Sequence, residues 1–369
     1  MYINRRKGKV NMINHSTYVP ILKWKQGEYQ ALAELTQEVK KNIVPLFEIP
    51  PIGFDFENRK QSKTIDEHIQ HLGSRLKKKW GSAPCLIDVT PLILQDAEHI
   101  AYIPKIFELY RSEGCEVTPV ITLDAKDEII DAIKQIAHLD KRGICLRLKS
   151  SYITDEINEI IALFLSKIEL HKSNIDLLVD FEDLPFSGQF EQFFDFLVSN
   201  LKTLKEINLW RSFTVCGGSF PKNADQNNAK RLEWLLYKKC YSSFVDSYRL
   251  PAFGDYNINS REFVELDMRL VKPYAKLRYT LNENWYIDRG TAVRGRDSRG
   301  FGQFRGMCQK LIETSYYRGK EFSIGDKYIY DCAKGTENTG NLSTWVKVSV
   351  NQHLTKVVHD LASLYGFSI

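Results

Sequence analysis

The sequence lacks the features of a membrane or secreted protein. Its longest apolar runs, such as IIALFL at 160–165, are far shorter than the roughly 18–20 residues that a membrane-spanning helix needs. The N-terminal residues MYINRRKGK contain no apolar segment of the kind that a secretory signal carries. We therefore expect a cytoplasmic protein that does not enter a membrane.

Cysteine is present, but without the spacing of a metal site or a disulfide framework. The seven cysteines are scattered, no CxxC pair occurs, and no Cys/His cluster stands at zinc-binding spacing. Cys85, Cys145 and Cys216 lie inside strand-like runs, which indicates reduced thiols in a core. The sequence also lacks GxSxG, HExxH and Walker motifs, which argues against the serine hydrolases, zinc proteases and P-loop NTPases that carry them.

Short apolar runs of strand-forming residues alternate along the chain with amphipathic segments. Eight such runs occur, at 18–24, 43–49, 85–91, 117–124, 144–150, 175–183, 213–218 and 248–255. Their starts lie 25 to 42 residues apart, so every interval has room for a crossover helix between parallel strands. Eight such units predict an α/β fold, a (β/α)8 TIM-like barrel over residues 1–270. A doubly wound open sheet is the alternative, but the first turn, KWKQGEYQ, has no GxGxxG.

Residues 271–369 predict a C-terminal α+β extension that packs on the barrel. The stretch 275–290 is typical of two short strands joined at Asn282-Glu283-Asn284, and 291–306 is a Gly/Arg-rich loop. A helix, the polar turn 334–341 and a final amphipathic helix follow. No repeat or low-complexity linker separates this part from the barrel.

Charged residues stand at the C-terminal ends of six consecutive predicted strands, where barrel enzymes place their active sites. They are Lys23, Glu48, Asp88, Asp124, Arg147 with Lys149, and Asp180 with Glu182. Residues two apart on a strand share a face, and the faces opposite Arg147 and Asp180 are apolar. Arg147, Lys149, Asp180 and Glu182 are therefore predicted to face the barrel mouth, and Asp183 to face away.

The sequence leaves three interpretations of these charges open. In the first, Glu48, Asp88 and Asp180 bind Mg²⁺, these residues and Glu182 form the catalytic set, and basic residues bind an anionic substrate. The basic residues in that interpretation are Lys23, Arg147 and Lys149. In the second, Lys23 pairs with Glu48 and Arg147 with Asp180 in a structural ion-pair network, because buried charges must be paired. In the third, they are solvent-exposed strand ends.

Further candidate binding residues lie later in the chain. Gly217 and Gly218 end the seventh run, where such barrels often bind phosphate, although a tight turn also explains two glycines. His353 on the terminal helix either reaches over the barrel mouth or packs in the core. The extension carries arginines interleaved with aromatic residues, which predict either a nucleic-acid surface or a solvated loop. The arginines are Arg278, Arg289, Arg294, Arg296, Arg299 and Arg305, and the aromatic residues are Tyr279, Trp285, Tyr286, Phe301 and Phe304.

Three groups of segments carry a resemblance to a known family. These segments resemble the beta-protein family, a largely uncharacterised group of proteins found in bacteria and their phages. The segments are YVPILKWKQGEYQAL with IVPLFEIPP, RYT…NWYIDRG, and FSIGDKYIYDCAKG…GNLSTWVKVSVNQHL. The resemblance implies a role in phage–host conflict, such as anti-phage defence, with a protein partner encoded nearby. It supplies motif positions rather than catalytic residues. These positions are Lys23, Glu48, Arg278, Trp285, Arg289, Gly325, Asp326, Gly340, Asn341, Trp345 and His353.

Two functional hypotheses follow. The first is a metal-dependent hydrolase or phosphodiesterase, with Mg²⁺ as cofactor, that acts at the barrel mouth on a phosphate-bearing small molecule, nucleotide or nucleic acid. The second is a non-catalytic barrel that serves as a sensor or as a protein- or nucleic-acid-binding module. If the charged side chains at the mouth contact one another away from solvent, a structural ion-pair network is favoured. If they form an open cluster with an unfilled centre, a binding or catalytic site is favoured.

Overall fold

The computed structural model describes residues 13–185, 190–221, 229–246, 248–264, 267, 269–296 and 298–369. Within these residues eight parallel strands close into a barrel, in which each strand bonds to the next along the chain and the last bonds to the first. The predicted (β/α)8 barrel is confirmed, with one strand in each of the eight predicted runs. The strands are β1 (Tyr18–Lys23), β2 (Leu46–Glu48), β3 (Cys85–Asp88), β4 (Val117–Thr122), β5 (Ile144–Lys149), β6 (Ile175–Asp183), β7 (Ser212–Gly218) and β8 (Ala252–Asp255).

Helices fill the intervals between strands and cover the outside of the barrel. In α7, for example, Ile130, Ile133, Ile136 and Ala137 are buried at three- and four-residue spacing, which gives the helix one apolar face. No helix in the described ranges is long and apolar enough to cross a membrane. The helices are α1 (Gln26–Ala33), α2 (Gln37–Lys40), α3 (Ile65–Ile69), α4 (Leu72–Lys79), α5 (Thr90–Ile93), α6 (Ile103–Ser112), α7 (Asp127–Asp140), α8 (Ile157–Ile168), α9 (Phe190–Leu201) and α10 (Leu232–Phe244).

The barrel strands divide their side chains between two cores. One face of each strand packs against the helices, and the other faces the barrel interior, as the two-residue period of a strand requires. The interior cluster is apolar and includes Val19, Ile21, Leu46, Leu86, Val120, Cys145, Leu178, Cys216 and Ala252. All seven cysteines are buried and free of disulfides, and these include Cys85, Cys145 and Cys216, which were predicted to be reduced thiols in a core. This apolar interior forms the floor beneath the charged C-terminal ends of the strands.

The chain after β8 forms a hairpin and three helices. The strands β9 (Tyr274–Thr280) and β10 (Trp285–Ala292) pair antiparallel around the predicted turn. The helices are α11 (Gln303–Ile312), α12 (Ile324–Lys334) and α13 (Leu342–Tyr365). The sequence predicted one helix before the polar turn, and the structure has two. Gly319 has a left-handed φ of 91°, and the hydroxyl of Ser323 caps a new helix by accepting from the backbone N–H of Asp326.

The terminal helix α13 lies against both the barrel and the hairpin. Asn351 Nδ2 donates to the carbonyl of Ala31 in α1 at 3.0 Å, and Lys347 Nζ lies 2.9 Å from Glu34 Oε1. On its other side, Gln352 accepts from the backbone N–H of Thr280 in β9 at 2.9 Å. Helix α13 therefore connects the barrel to the hairpin of β9 and β10.

Substitution of Gly325 in α12 tests how closely α12 and α13 pack. A Cβ atom at Gly325 would lie 2.4 Å from the carbonyl oxygen of Val348, whereas a Cβ at Gly306 in α11 would meet nothing within 4 Å. We expect Gly325→Ala to lower the free energy of unfolding by about 1–3 kcal/mol through overpacking. Gly306→Ala, the matched control, should raise it by about 1 kcal/mol through helix propensity. Urea unfolding of both variants checks this, and effects of the same sign would contradict the packing.

Candidate functional site

The centre of the barrel mouth is the guanidinium of Arg147, which is 8% exposed. Its Nε donates to Asp180 Oδ2 at 2.9 Å, and its Nη1 donates to Glu48 Oε1 at 2.9 Å and to Asp88 Oδ2 at 2.6 Å. Its Nη2 donates to the hydroxyl of Tyr256 at 2.6 Å and lies 2.9 Å from Asp180 Oδ2. All three guanidinium nitrogens are therefore engaged, through four hydrogen bonds and one further ion-pair contact. We call these five residues the mouth cluster.

Strand register explains why the mouth cluster forms. Glu48 is paired in register with Lys23 on one side and with Asp88 on the other, so consecutive strands end at the same level. Arg147 faces inward from β5, as predicted, and reaches across the barrel to β2 and β3. Sequence reasoning missed Tyr256, which follows β8. Its spacing from Ala252 and Gly254, four and two residues earlier on the inner face, is the signal that could have found it.

Glu48 differs from the other two acids of the mouth cluster. The second oxygen of Asp88 accepts from the backbone N–H of Thr90 at 2.9 Å, and that of Asp180 accepts from the N–H of Glu182 at 2.8 Å. The second oxygen of Glu48, Oε2, is buried and has no hydrogen-bond partner among the described residues. Burial raises the pKa of Glu48, although Arg147 works in the opposite direction.

The predicted magnesium ligands surround a guanidinium in this structure. Among the residues that the structure describes, no group of three or more His, Cys, Asp or Glu side chains is arranged to hold a metal ion. Arg147 lies between Glu48, Asp88 and Asp180 and engages one oxygen of each. The arrangement corresponds to the ion-pair interpretation of the mouth. The magnesium site stays a prediction for metal titration to test, and each guanidinium nitrogen of Arg147 already donates to an acid or to Tyr256.

Lys23 does not form the predicted direct ion pair with Glu48. Its Nζ instead donates to the carbonyl of Ser260 at 2.9 Å and to that of Glu262, and lies 4.5 Å from the ring centroid of Phe263. Burial lowers the pKa of Lys23. Its ammonium is therefore bound to the segment that follows β8.

The remaining predicted mouth residues are placed individually. Lys149 is half-buried, Glu182 forms an ion pair with Arg261 at 2.8 Å, and Asp124 accepts from the hydroxyl of Tyr152 at 2.8 Å. Glu182 has a left-handed φ of 57°, and the register of β6 shifts between Asp180 and Asp183, so the strict alternation used in the sequence prediction ends there.

Gly217 and Gly218 allow close packing at the end of β7. A Cβ at Gly217 would lie 3.4 Å from the side chains of Phe181 and Leu184, and one at Gly218 would lie 3.2 Å from the ring of Tyr256. Both glycines therefore leave room for neighbouring side chains of the barrel. Their predicted contact with a phosphate stays a prediction.

His353 lies on the face of α13 that packs against the outside of the barrel, where it is fully buried. Of the two predictions for this residue, packing in the core is confirmed, and His353 does not reach over the mouth. Its Nε2 is 3.0 Å from Asp255 Oδ2, and its Nδ1 is 2.9 Å from Thr280 Oγ1. Tyr18 donates its hydroxyl to Asp255 Oδ1 at 2.6 Å, and the ring of Trp285 stacks on the imidazole at 5.2 Å. Neighbouring residues of a strand point to opposite faces, so Asp255 contacts His353 outside the barrel while the next residue joins the mouth cluster inside.

Comparison with known proteins decides the kinship that the motifs suggested. A family model described as Beta protein matches residues 18–359. The chain belongs to the Beta protein family. Protein beta of Enterobacteria phage P4 is 22% identical, over 97% of this chain and 98% of that protein.

Two solved structures show how distant the structural likenesses are. A mutant tryptophan synthase α-subunit from Pyrococcus furiosus is 11% identical, has a TM-score of 0.38, and covers 66% of this chain and 89% of its own. A putative fructose-1,6-biphosphate aldolase from Coccidioides immitis is 10% identical, has a TM-score of 0.39, and covers 94% of this chain and 90% of its own.

The motif segments of this Beta protein family member meet in buried contacts of the extension. Thr280, Trp285 and His353 come from three different segments and contact one another. Asp326 accepts from the hydroxyls of Tyr279 and Ser323, both at 2.6 Å, and burial raises its pKa to about 6. These positions therefore hold the fold together in this structure.

In the predicted arginine-rich surface, Arg278 is half-buried and the other arginines are exposed. Burial lowers the pKa of Arg278 to about 10, and its guanidinium lies 5.4 Å from the ring centroid of Phe220. The other predicted arginines are exposed, and we call them the basic surface: Arg289, Arg294, Arg296, Arg299 and Arg305. Exposed aromatic rings accompany them, with Tyr274 46% exposed and Tyr316 47% exposed.

Proposed function

We propose that this chain takes part in conflict between phages and bacteria as a non-catalytic barrel that binds single-stranded nucleic acid through the basic surface. The observation that carries the proposal is the state of Arg294, Arg296 and Arg299. All three are exposed, and none has a hydrogen bond or an ion pair within the described part of the chain. Arginines in this state are free to contact phosphates.

The charge distribution along the chain supports this choice. Residues 271–310 contain nine Lys and Arg and three Asp and Glu, a net charge of +6, while the whole chain carries only +5. The rest of the chain is therefore close to neutral, and the excess positive charge is concentrated in the hairpin and the loop that follows it. Concentrated positive charge attracts phosphate backbones and releases their counterions.

Aromatic rings beside the arginines favour single strands over duplexes. Arg289 lies 4.6 Å from the ring centroid of Tyr274, and the rings of Tyr286 and Tyr316 are 6.5 Å apart. Unpaired bases stack on such rings without regard to sequence, which contributes about 1–3 kcal/mol per base. A duplex keeps its bases inside and gains less from an aromatic surface.

The hydrolase hypothesis has weaker support. That hypothesis used Arg147 and Lys23 to bind a phosphate. In the structure Arg147 donates to the other residues of the mouth cluster, and the ammonium of Lys23 donates to backbone carbonyls. An anion at the mouth would have to displace carboxylates from a buried guanidinium. Titration with MgCl₂ in a calorimeter, with and without Asp180→Asn, remains the direct test of that hypothesis.

Removal of the free arginines is the test of nucleic-acid binding. We expect Arg294→Ala, Arg296→Ala and Arg299→Ala together to weaken binding of a labelled single-stranded oligonucleotide of about 20 nucleotides at least about tenfold, measured by fluorescence anisotropy. Each lost phosphate contact should also lower the salt dependence, so the slope of log K against log salt should fall by about 2. The variant should likewise lose the chain's effect on phage plating.

A matched control separates the basic surface from net charge. Lys78, Lys202 and Lys205 are exposed on the barrel helices and loops, and their replacement by alanine removes the same three charges. This control should bind the oligonucleotide within about twofold of the unmodified chain. An equal loss in both triple variants, or no binding by the unmodified chain at low salt, would contradict the proposal.

A further inference from the structure

The mouth cluster holds more negative than positive charge. Asp180, Asp88 and Glu48 all hydrogen-bond to the single guanidinium of Arg147, which gives a formal net charge of −2 if all three are ionised. The exposed fractions of the three acids are 1%, 0% and 4%. Buried charge without compensation is costly, so the cluster favours the arrival of a further cation or proton.

Glu48 Oε2 is the point at which such a group would bind. It is the one carboxylate oxygen of the mouth cluster that lacks a partner among the described residues, and it is buried. Arg147 donates to the other oxygen of Glu48, Oε1, and the hydroxyl of Tyr256 donates to Asp180. The cluster therefore presents an acceptor whose donor must come from outside it. A ligand that carries N–H donors and positive charge satisfies both requirements.

A covering segment, residues 257–263, follows β8 and contacts the ends of two other barrel strands. Lys23 at the end of β1 donates to the carbonyls of Ser260 and Glu262, and Arg261 pairs with Glu182 at the end of β6. Asn259 Nδ2 also donates to Glu28 Oε1 at 2.9 Å. The segment leaves β8 and is bonded at the ends of β1 and β6, so it lies at the same end of the barrel as the mouth cluster.

We propose that the mouth of the barrel binds a primary ammonium ligand, which donates to Glu48 Oε2 and offsets the excess charge of the cluster. The covering segment opens to admit the ligand. This site is separate from the basic surface, and it selects cations where the basic surface selects anions.

Calorimetric titration of the nucleic-acid-free full chain with 1,4-diaminobutane tests the proposal. We expect saturable binding, at least about tenfold weaker binding by Glu48→Gln, and no competing binding of inorganic phosphate at the mouth. Glu108 is an exposed carboxylate on α6, and Glu108→Gln is the matched control that should bind as the unmodified chain does. Binding that is unchanged in Glu48→Gln, or absent from the unmodified chain, overturns the proposal.

Two further measurements distinguish a ligand site from a structural role of Glu48. Lys23→Met removes a positive charge near Glu48 and loosens the covering segment, so it should strengthen diamine binding several-fold, the opposite of Glu48→Gln. If Glu48 binds the ligand as a carboxylate and is protonated without it, binding releases a proton, and the heats in PIPES and Tris buffers should differ by their ionisation heats. Diamine binding weakened by Lys23→Met would contradict the site. The Arg294, Arg296 and Arg299 variant should keep diamine binding, so failure of either proposal is distinguishable from failure of the other.

Discussion

Replacement of Arg147 by methionine is expected to lower the free energy of unfolding by about 3–5 kcal/mol. The substitution keeps most of the aliphatic volume of the side chain but leaves Glu48, Asp88 and Asp180 buried beside one another without a counter-charge. Burial works to lower the pKa of Arg147, but Tyr256 and the three acids outweigh it and raise that pKa well above its ordinary value, which reflects how strongly the cluster depends on the cation. The loss in unfolding free energy measures the cost of leaving buried negative charge uncompensated, and it does not measure the net stabilisation that the ion pairs provide.

Urea unfolding at neutral pH measures this loss, and two further variants interpret it. Arg142→Met removes a partly exposed partner of Glu116, and should change the free energy of unfolding by at most about 1 kcal/mol. Addition of Glu48→Gln to Arg147→Met removes one of the repelling charges and should recover part of the loss, which a double-mutant cycle quantifies. A loss for Arg147→Met as small as that for Arg142→Met would show that the mouth admits water and that the cluster is not a structural network.

The barrel was predictable because the sequence patterns that specify its strands and helices are local. Each strand is a short apolar run, each crossover helix has its own period, and the alternation of Arg147 with its apolar neighbours on β5 fixes which face points inward. Since the parallel strands of a barrel all end on the same side, charged residues at those ends necessarily lie close together. The sequence could not tell which charges pair, because Lys23 has reach enough to contact either Glu48 or the segment after β8, and backbone carbonyls bind it in the folded chain.

The placement of His353 was not predictable, for a different reason. A helix of 24 residues such as α13 can dock on a barrel at many rotations and translations, and nothing local to the chain selects one. The selection comes from contacts between distant segments: Asn351 with α1, Gln352 with β9, and His353 with Asp255 on the outer face of β8. Polar partners of this kind fix a docking geometry because any other register leaves them buried and unsatisfied.

Replacement of His353 by leucine should therefore be the second most damaging single change, with a loss of about 3 kcal/mol in the free energy of unfolding. Leucine fills much of the same volume but removes a partner from the buried carboxylate of Asp255 and from the hydroxyl of Thr280. Burial works to raise the pKa of Asp255, but His353 and the hydroxyl of Tyr18 outweigh it and hold that pKa below its ordinary value. His138→Leu on the exposed side of α7 is the matched control and should stay within about 0.5 kcal/mol of the unmodified chain.

The pH dependence of this loss identifies the protonation state of His353. Burial lowers the pKa of His353 below the ordinary 6.5, although Asp255 opposes the shift. On acidification the unfolded chain takes up the proton first, so the contribution of His353 to stability is complete above about pH 6.5 and declines below it. The difference in unfolding free energy between the unmodified chain and His353→Leu should accordingly shrink between about pH 6.5 and pH 5. A difference that grows over this interval would mean that the folded chain holds an imidazolium paired with Asp255, and that attraction across this contact outweighs the cost of burying it.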